Sequence, residues 1–188
     1  MNFRKIVPVL MLSVVISAQS FANNSNPENG KKKTAIVKKT DKTIVSVAAS
    51  NLNFTTLVAA VKAADLVDVL NSNGPFTVFA PVNNAFGKLP KGTVATLLKP
   101  ENKKLLTAIL TYHVVAGEFK AKDVLKAIKN NGGKFVITTV QGGKLTASLK
   151  NGKVILTDVK GNISTIVLTD VSASNGIVHA IDTVVMPQ

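Results

Sequence analysis

Cysteine and tryptophan are absent from the 188 residues of this chain, and only 5% of its residues are aromatic. Without cysteine the chain can form no disulfide and offers no thiolate ligand for a zinc ion. Its two histidines lie neither in an H-x-x-x-H pattern nor beside clustered carboxylates. The sequence therefore predicts no metal site and no cofactor, and a core built from aliphatic residues and phenylalanine.

Arginine is nearly absent as well, because Arg4 is the only one and every other basic residue is lysine. The formal net charge is nevertheless +13. Lysine is a flexible point charge, whereas arginine provides the planar fork that reads guanine edges and clamps phosphates. This bias argues against a specific nucleic-acid-binding protein and favours diffuse attraction to anionic polysaccharides, lipid headgroups or cell surfaces. The alternative is that the lysines reflect composition and solubility alone.

The N-terminal residues 1–22 have the pattern of a secretory signal peptide. Basic residues precede an apolar run at 6–16, and Ser-Phe-Ala at 20–22 forms a small-x-small cleavage site. The run is shorter than the ~20 residues that a membrane-spanning helix needs, and no second apolar run in the chain is long enough for such a helix. We expect a secreted or periplasmic protein without a transmembrane segment after cleavage. An uncleaved membrane anchor is the alternative.

Residues 23–42 are rich in asparagine and lysine and have no sustained apolar periodicity, which predicts a disordered linker. Its clustered lysines are Lys31, Lys32, Lys33, Lys38 and Lys39. They are either a solvated tail or an arm that binds a surface. The remaining residues, 43–188, have the length expected of one domain.

One stretch, residues 77–86, reads Thr-Val-Phe-Ala-Pro-Val-Asn-Asn-Ala-Phe. Its first three residues favour a β-strand, and Pro81 removes a backbone donor and ends that strand. Asn83 can accept a hydrogen bond from an N–H about three residues further on and so open a helix. We therefore predict a strand that turns sharply into a short helix.

This stretch resembles the first signature segment of the fasciclin domain family. Two further segments match in order: Tyr112-His113, after a leucine-rich helix, and residues 175–187. The resemblance covers residues 43–187 and implies an α+β fold, a wedge of two small β-sheets with several α-helices packed along one side. Val82 departs from the family, which usually has Thr or Ser there, so the helix cap falls to Asn83 or weakens. The matching positions, which we interpret as structural, are Thr77, Phe79, Ala80, Pro81, Asn83, Phe86, Asn175, Gly176, His179 and Asp182.

Helical patterns come early in the domain and strand patterns late, which also favours an α+β fold. Asn53 precedes an apolar helical face and is a candidate N-cap. In the helix that ends near His113, apolar residues recur at helical spacing and place this histidine on the apolar face. The Asn151-Gly152 pair between two β-forming runs predicts a tight hairpin. Residues 177–186 have large apolar residues on both faces and predict an interior strand.

The resemblance implies a non-catalytic role in adhesion or binding, through a cell-surface or matrix protein. The positive charge adds an anionic glycan as a candidate partner class. The Tyr-His segment of the family has been linked to cell adhesion, so Tyr112 and His113 are candidate partner-binding residues beside the linker lysines. The residues themselves favour a structural interpretation. Tyr112 would pack at the edge of the core, and His113 would bond a backbone carbonyl or a carboxylate near the helix end, where positive charge is favoured.

Two alternatives stay open: an envelope protein that binds a small molecule or glycan without an adhesive role, and a hydrolase that uses His113 or His179. A serine hydrolase needs a Ser–His–acid arrangement, and the chain has no G-x-S-x-G motif. His179 and Asp182 lie three positions apart on one predicted strand, so their side chains should point to opposite faces. We therefore expect no catalytic residues.

Overall fold

The computed structural model describes residues 41–188, in which seven α-helices and seven β-strands follow one another. The helices are α1 (Ile44–Ala49), α2 (Thr55–Ala63), α3 (Val67–Asn71), α4 (Asn83–Gly87), α5 (Thr93–Leu97), α6 (Lys103–Tyr112) and α7 (Ala121–Asn130). The strands are β1 (Phe76–Pro81), β2 (Val114–Ala116), β3 (Lys134–Thr138), β4 (Lys144–Lys150), β5 (Lys153–Thr157), β6 (Ile163–Ala173) and β7 (Gly176–Ile181). The signal peptide and the five linker lysines predicted above lie outside the described residues.

The seven strands form one continuous order, β2-β1-β7-β6-β5-β4-β3. The chain is thus α+β, but the predicted division into two small sheets is not confirmed. The physical reason is the length of β6, whose first residues pair with β5 while its later residues pair with β7 across two register shifts. The β1–β7 pair is parallel, whereas the other pairs are antiparallel.

Strands β1 and β7 lie between two hydrophobic clusters and supply side chains to both. Val78 and Val178 belong to the first cluster, which α1, α2, α3 and α6 build with them. Phe79 and Ile181 belong to the second cluster, which contains α7 and β3 to β6. Since strand side chains alternate between faces, both strands are buried on both sides. The predicted interior strand is confirmed, although it ends at Ile181 rather than Met186.

The Asn151-Gly152 hairpin is also confirmed. Both residues have positive φ, 51° and 75°, as a two-residue turn of the primed type requires. The strands β4 and β5 therefore pair up to the turn, where Lys150 lies directly opposite Lys153. Among the described helices, none is long and apolar enough to cross a membrane.

The beginning of α2 differs from the prediction. Asn53 is not its N-cap; the side chain of Asn51 accepts a hydrogen bond from the Asn53 N–H, 3.0 Å long, and caps a 3-10 turn that precedes α2. Helix α1 had no counterpart in the sequence analysis, because six residues are too few for a periodic pattern. Thr43 caps α1, with its hydroxyl oxygen accepting from the Ser46 N–H at 3.3 Å.

Candidate functional site

The turn after β1 forms as predicted, but its asparagine has a different role. Val82 occupies the N-cap of α4 and no side chain caps this helix. Instead the Oδ1 atom of Asn83 accepts hydrogen bonds from the Thr56 N–H at 3.1 Å and the Thr55 hydroxyl at 3.2 Å, while its Nδ2 donates to the Leu52 carbonyl at 2.8 Å. Asn83 therefore caps α2, which lies about thirty residues earlier.

Asn175, the first residue of the third signature segment, forms side-chain hydrogen bonds to the backbone of two helical segments. Asn175 Nδ2 donates to the carbonyls of Leu70 and Ser72, at 2.7 and 3.0 Å. Its Oδ1 accepts from the Ile44 N–H at 2.9 Å, at the start of α1. One side chain thus satisfies the end of α3 and the beginning of α1.

Gly176 follows because nothing larger fits. A Cβ atom at this position would lie 2.0 Å from the Phe76 carbonyl oxygen, and its φ is +157°. The two-residue turn between β6 and β7 consists of Ser174 and Asn175, and Gly176 is the first residue of β7. The glycine therefore permits the close parallel approach of β1 and β7.

Tyr112 lies inside the second cluster, not at the edge of the core. Its exposed fraction is 0%, and its hydroxyl donates to the Lys144 carbonyl at 2.7 Å. Burial raises the pKa of Tyr112. A Cβ atom on Gly143 would lie 2.6 Å from the tyrosine ring, so a glycine is needed where the β3–β4 loop covers it.

His113 is buried on the apolar face of α6, as its spacing predicted. Its Nδ1 donates to the Ile109 carbonyl at 2.7 Å, which leaves Nε2 to accept from the Val185 N–H at 3.3 Å. Burial lowers the pKa of His113 to about 4, with the bond to Ile109 opposing it only in part. The ring is therefore neutral near pH 7 and carries no positive charge at the helix end, because desolvation outweighs the bond to the Ile109 carbonyl.

His179 has the opposite tautomer. Its Nε2 donates to the Phe119 carbonyl at 2.8 Å, and its Nδ1 accepts from the Asp170 N–H at 3.2 Å. The ring stacks on Phe79 of the neighbouring strand, with 5.7 Å between centroids. Burial lowers the pKa of His179, although the bond to Phe119 and the charge of Asp170 oppose this. Both histidines are thus held by backbone groups on both ring nitrogens.

Thr77 and Asp182 complete the signature positions with polar side chains. Thr77 Oγ1 donates to the Gly117 carbonyl at 2.7 Å and accepts from the Phe119 N–H at 2.9 Å. Asp182 accepts from the Thr165 N–H at 2.7 Å and pairs with the Lys88 ammonium at 3.2 Å. Burial would raise the pKa of Asp182, but these bonds outweigh it and the pKa is lowered.

A family model of the fasciclin domain matches residues 52–187, which include all three segments. The chain belongs to the fasciclin domain family. Helix α1, which Asn175 holds, precedes the matched residues.

Individual relatives agree with this assignment. The fasciclin domain here is 52% identical over 145 residues to Protein sll1483 of Synechocystis sp., covering 77% of this chain and 73% of that protein. It is 43% identical over 149 residues to Immunogenic protein MPB70 of Mycobacterium bovis, covering 76% of this chain and 68% of the relative. The solved FAS1 domain pair of the insect cell adhesion molecule Fasciclin I has a TM-score of 0.67 at 20% identity. That match covers 76% of this chain and about half, 50%, of the solved chain.

The signature residues of this fasciclin domain do not converge on one open cleft. Tyr112, His113 and His179 are buried in separate places, each bonded to backbone groups. In residues 41–188, no group of three or more His, Cys, Asp or Glu side chains is arranged to hold a metal ion. The sequence analysis missed the roles of Asn83 and Asn175 as caps for distant helices, for which adjacent sequence contains no signal.

Proposed function

We propose that this protein is an exported, non-catalytic binding protein that attaches to a surface or matrix component outside the cytoplasm. Membership of the fasciclin domain family over residues 52–187 carries this proposal. The similar fold of a domain pair from an insect cell adhesion molecule supports an adhesive role. The partner classes are a cell-surface or matrix protein and an anionic glycan.

The geometry of the histidines weighs against the hydrolase alternative. A general base must have a free nitrogen within reach of the proton that it removes. In both His113 and His179, one ring nitrogen donates to a carbonyl and the other accepts from a backbone N–H. The same contacts support a structural role for both histidine rings. The burial of Tyr112 supports a structural role for this tyrosine as well.

The interior offers little space for a small molecule. The enclosed apolar space between α1, α2, α6 and β1 leaves about 30 Å³ free. Small-molecule sites in proteins are concave pockets of roughly 300–1,000 Å³ with convergent polar groups. This observation favours a surface interaction over a buried ligand.

The proposed domain organisation places a cleaved signal peptide at 1–22, a lysine-rich linker at 23–42 and the fasciclin domain at 43–188. Mass spectrometry of the exported protein should find Asn23 as its first residue. A mature protein that retains Met1 would contradict the export pathway proposed here.

Attraction between the lysines and an anionic envelope should contribute to the proposed binding. Charges separated by more than the Debye length of ~8 Å at physiological ionic strength are largely screened, so binding to whole cells should weaken as salt rises. Replacing Lys31, Lys32, Lys33, Lys38 and Lys39 by Gln should lower retention without changing the melting temperature. Equal retention on a neutral and an anionic matrix, or no effect of the Gln variant, would assign these lysines to solubility instead.

A further inference from the structure

The strands β3 to β6 have two faces of different character. Residues that alternate along them, such as Leu145 and Leu156, are fully buried in the second cluster. The opposite side, which we call the outer face, exposes three branched aliphatic side chains, Val136, Ile163 and Val167, at 53, 46 and 54%. The strand register places Val136 and Ile163 in one row with Thr146 and Thr157 between them.

Ile155 forms the floor of a groove on this outer face. It is buried, with 8% exposed, yet it belongs to neither hydrophobic cluster. It pairs with Ser148 on one side and Thr165 on the other, which places it in the middle of the outer face. The groove has a volume of about 380 Å³ and continues along Ile163 and Val167. Because little of Ile155 is exposed, the apolar surface that the groove offers to another chain comes mainly from Ile163 and Val167.

The outer face is also positively charged. Lys134 and Lys144 lie on its β3 and β4 strands, and Lys150 and Lys153 stand directly opposite each other at the mouth of the groove. Like charges opposite each other destabilise a sheet, so the Lys150–Lys153 pair opposes folding while it attracts anions. None of these lysines has an ion-pair partner among the described residues.

Negative charge on this surface is nearly absent. Strands β3, β4 and β5 contain no Asp or Glu. The carboxylate that borders the groove, Asp182, is already paired with Lys88 at 3.2 Å and accepts a hydrogen bond from the Thr165 N–H. The outer face is therefore complementary to a partner that carries several negative charges.

The size of the outer face limits the shape of that partner. Four strands about 4.8 Å apart and rows about 6.8 Å apart give a surface of roughly 14 by 20 Å, about 300 Å². A globular partner normally covers about 800 Å² on each side. A single extended chain fits the groove better. No aromatic side chain, on which sugar rings stack, occupies the outer-face positions of β3 to β6.

We propose that the outer face binds an extended, acidic segment of another protein, with its carboxylates at Lys150 and Lys153 and its aliphatic side chains on Ile155, Ile163 and Val167. This rests on the proposed function and selects its protein partner over its glycan partner. The segment lies along the groove, in the direction of the strands, with its side chains alternating between the groove and solvent. Long-range attraction between the lysines and the acidic segment speeds the encounter, and the apolar side chains of the groove provide specificity for the segment.

Fluorescence anisotropy of the full-length exported protein tests this proposal. The probe is a fluorescein-labelled peptide of about eight residues, enough to cross ~20 Å, in which glutamate alternates with valine or threonine. We expect Lys150→Gln with Lys153→Gln to weaken binding roughly three- to tenfold, as for two partly exposed ion pairs. Ile163→Ser with Val167→Ser should weaken binding several-fold at every salt concentration, because this contact is apolar.

The matched control changes the same charge on the opposite side of the sheet. Lys126 and Lys129 lie on α7, whose Val124 and Ile128 pack against the buried face. Lys126→Gln with Lys129→Gln should change peptide binding less than twofold, and a peptide with glutamine for glutamate should not bind. Equal losses in the two charge variants would overturn the proposal, because the protein's overall charge would then explain the binding.

Two further probes test the chemistry of the occupant. Polygalacturonate presents carboxylates on a glycan, and vesicles containing phosphatidylserine present them on a membrane. Binding to either through Lys150 and Lys153 that is tighter than binding to the peptide would overturn the assignment of a protein segment. If the wild-type protein binds whole cells but not the peptide, this inference alone is overturned. If the wild-type protein does not bind whole cells at all, the proposed function is overturned.

Discussion

The helices around the first cluster and the strands β3 to β6 are stabilised by different kinds of hydrogen bonds. The helices contain five to ten residues, and isolated helices shorter than about 12–15 residues are marginal in water. Their ends are satisfied by side chains from far along the chain, as when Asn83 caps α2 and Asn175 joins α3 to α1. The strands instead pair with their neighbours in sequence, one after another.

This difference means that the helical side depends on a few polar contacts, each of which affects several elements. The strand side spreads its stability over many ladder bonds, so single polar substitutions there should have smaller effects. His113 links the two sides, because it ends α6 and accepts a hydrogen bond from Val185 after β7. Substitutions of the polar residues that hold the helices should therefore lower stability more than substitutions on the strands do.

Acid should have the largest effect, through His113. The unfolded chain binds a proton at an ordinary pKa of about 6.5, whereas the folded ring stays neutral until its pKa of about 4. Stability should therefore be full above pH 6.5 and fall as the pH drops towards 4, by about 3 kcal/mol from this ring. His179, whose pKa burial also lowers, should add a loss in the same direction.

Urea unfolding across a pH series measures this effect. His113→Phe loses both hydrogen bonds and lowers stability at pH 7, but it should make the slope between pH 6.5 and 4 shallower than in the wild type. An unchanged slope in this variant would show that other groups cause the acid sensitivity.

Asn175→Ala should have the next largest effect on the helical side. It removes three hydrogen bonds that hold α1 and α3, worth about 1 kcal/mol each, so we expect a loss of roughly 2–3 kcal/mol. Urea denaturation measures the loss. Asn130→Ala, at an exposed asparagine with no side-chain hydrogen bond, is the matched control and should be neutral. Equal stability of the two variants would refute the role of Asn175.

Asn83→Ala should cost about 1–2 kcal/mol, as the loss of a helix cap does. Hydrogen exchange should show faster exchange at the Thr56 amide, to which the Asn83 side chain is bonded. The exposed neighbour Asn84 provides the control, and Asn84→Ala should leave this amide protected. Faster exchange confined to α4 would instead indicate that Asn83 caps its own helix.

Lys153→Glu should have the smallest effect and the opposite sign. It converts a like-charged pair opposite Lys150 into an attractive one and should stabilise the domain by about 0.2–1 kcal/mol. The same change should weaken binding of the acidic peptide. A lower melting temperature would show that the two lysines do not repel each other in the folded protein.

The sequence analysis was most accurate where structure depends on neighbouring residues. The Asn151-Gly152 hairpin, the apolar face of α6 and the interior position of β7 all follow from local periodicity and turn chemistry. It was least accurate for helix boundaries. Neither Asn53 nor Asn83 caps the helix that follows it. The Thr56 N–H, three residues after Asn53, instead donates to the side chain of Asn83, and only the fold brings these two groups together.

By itself the sequence determined the α+β class, the fasciclin signature and the excess of lysine, since these depend on composition, spacing and alternation. Only the tertiary structure decided which tautomer each histidine has and which helices Asn83 and Asn175 cap. It also decided that the lysines of β4 and β5 border an apolar groove. The reason is physical: a side-chain hydrogen bond or a charged surface depends on distances between residues remote in sequence, and packing alone sets those distances.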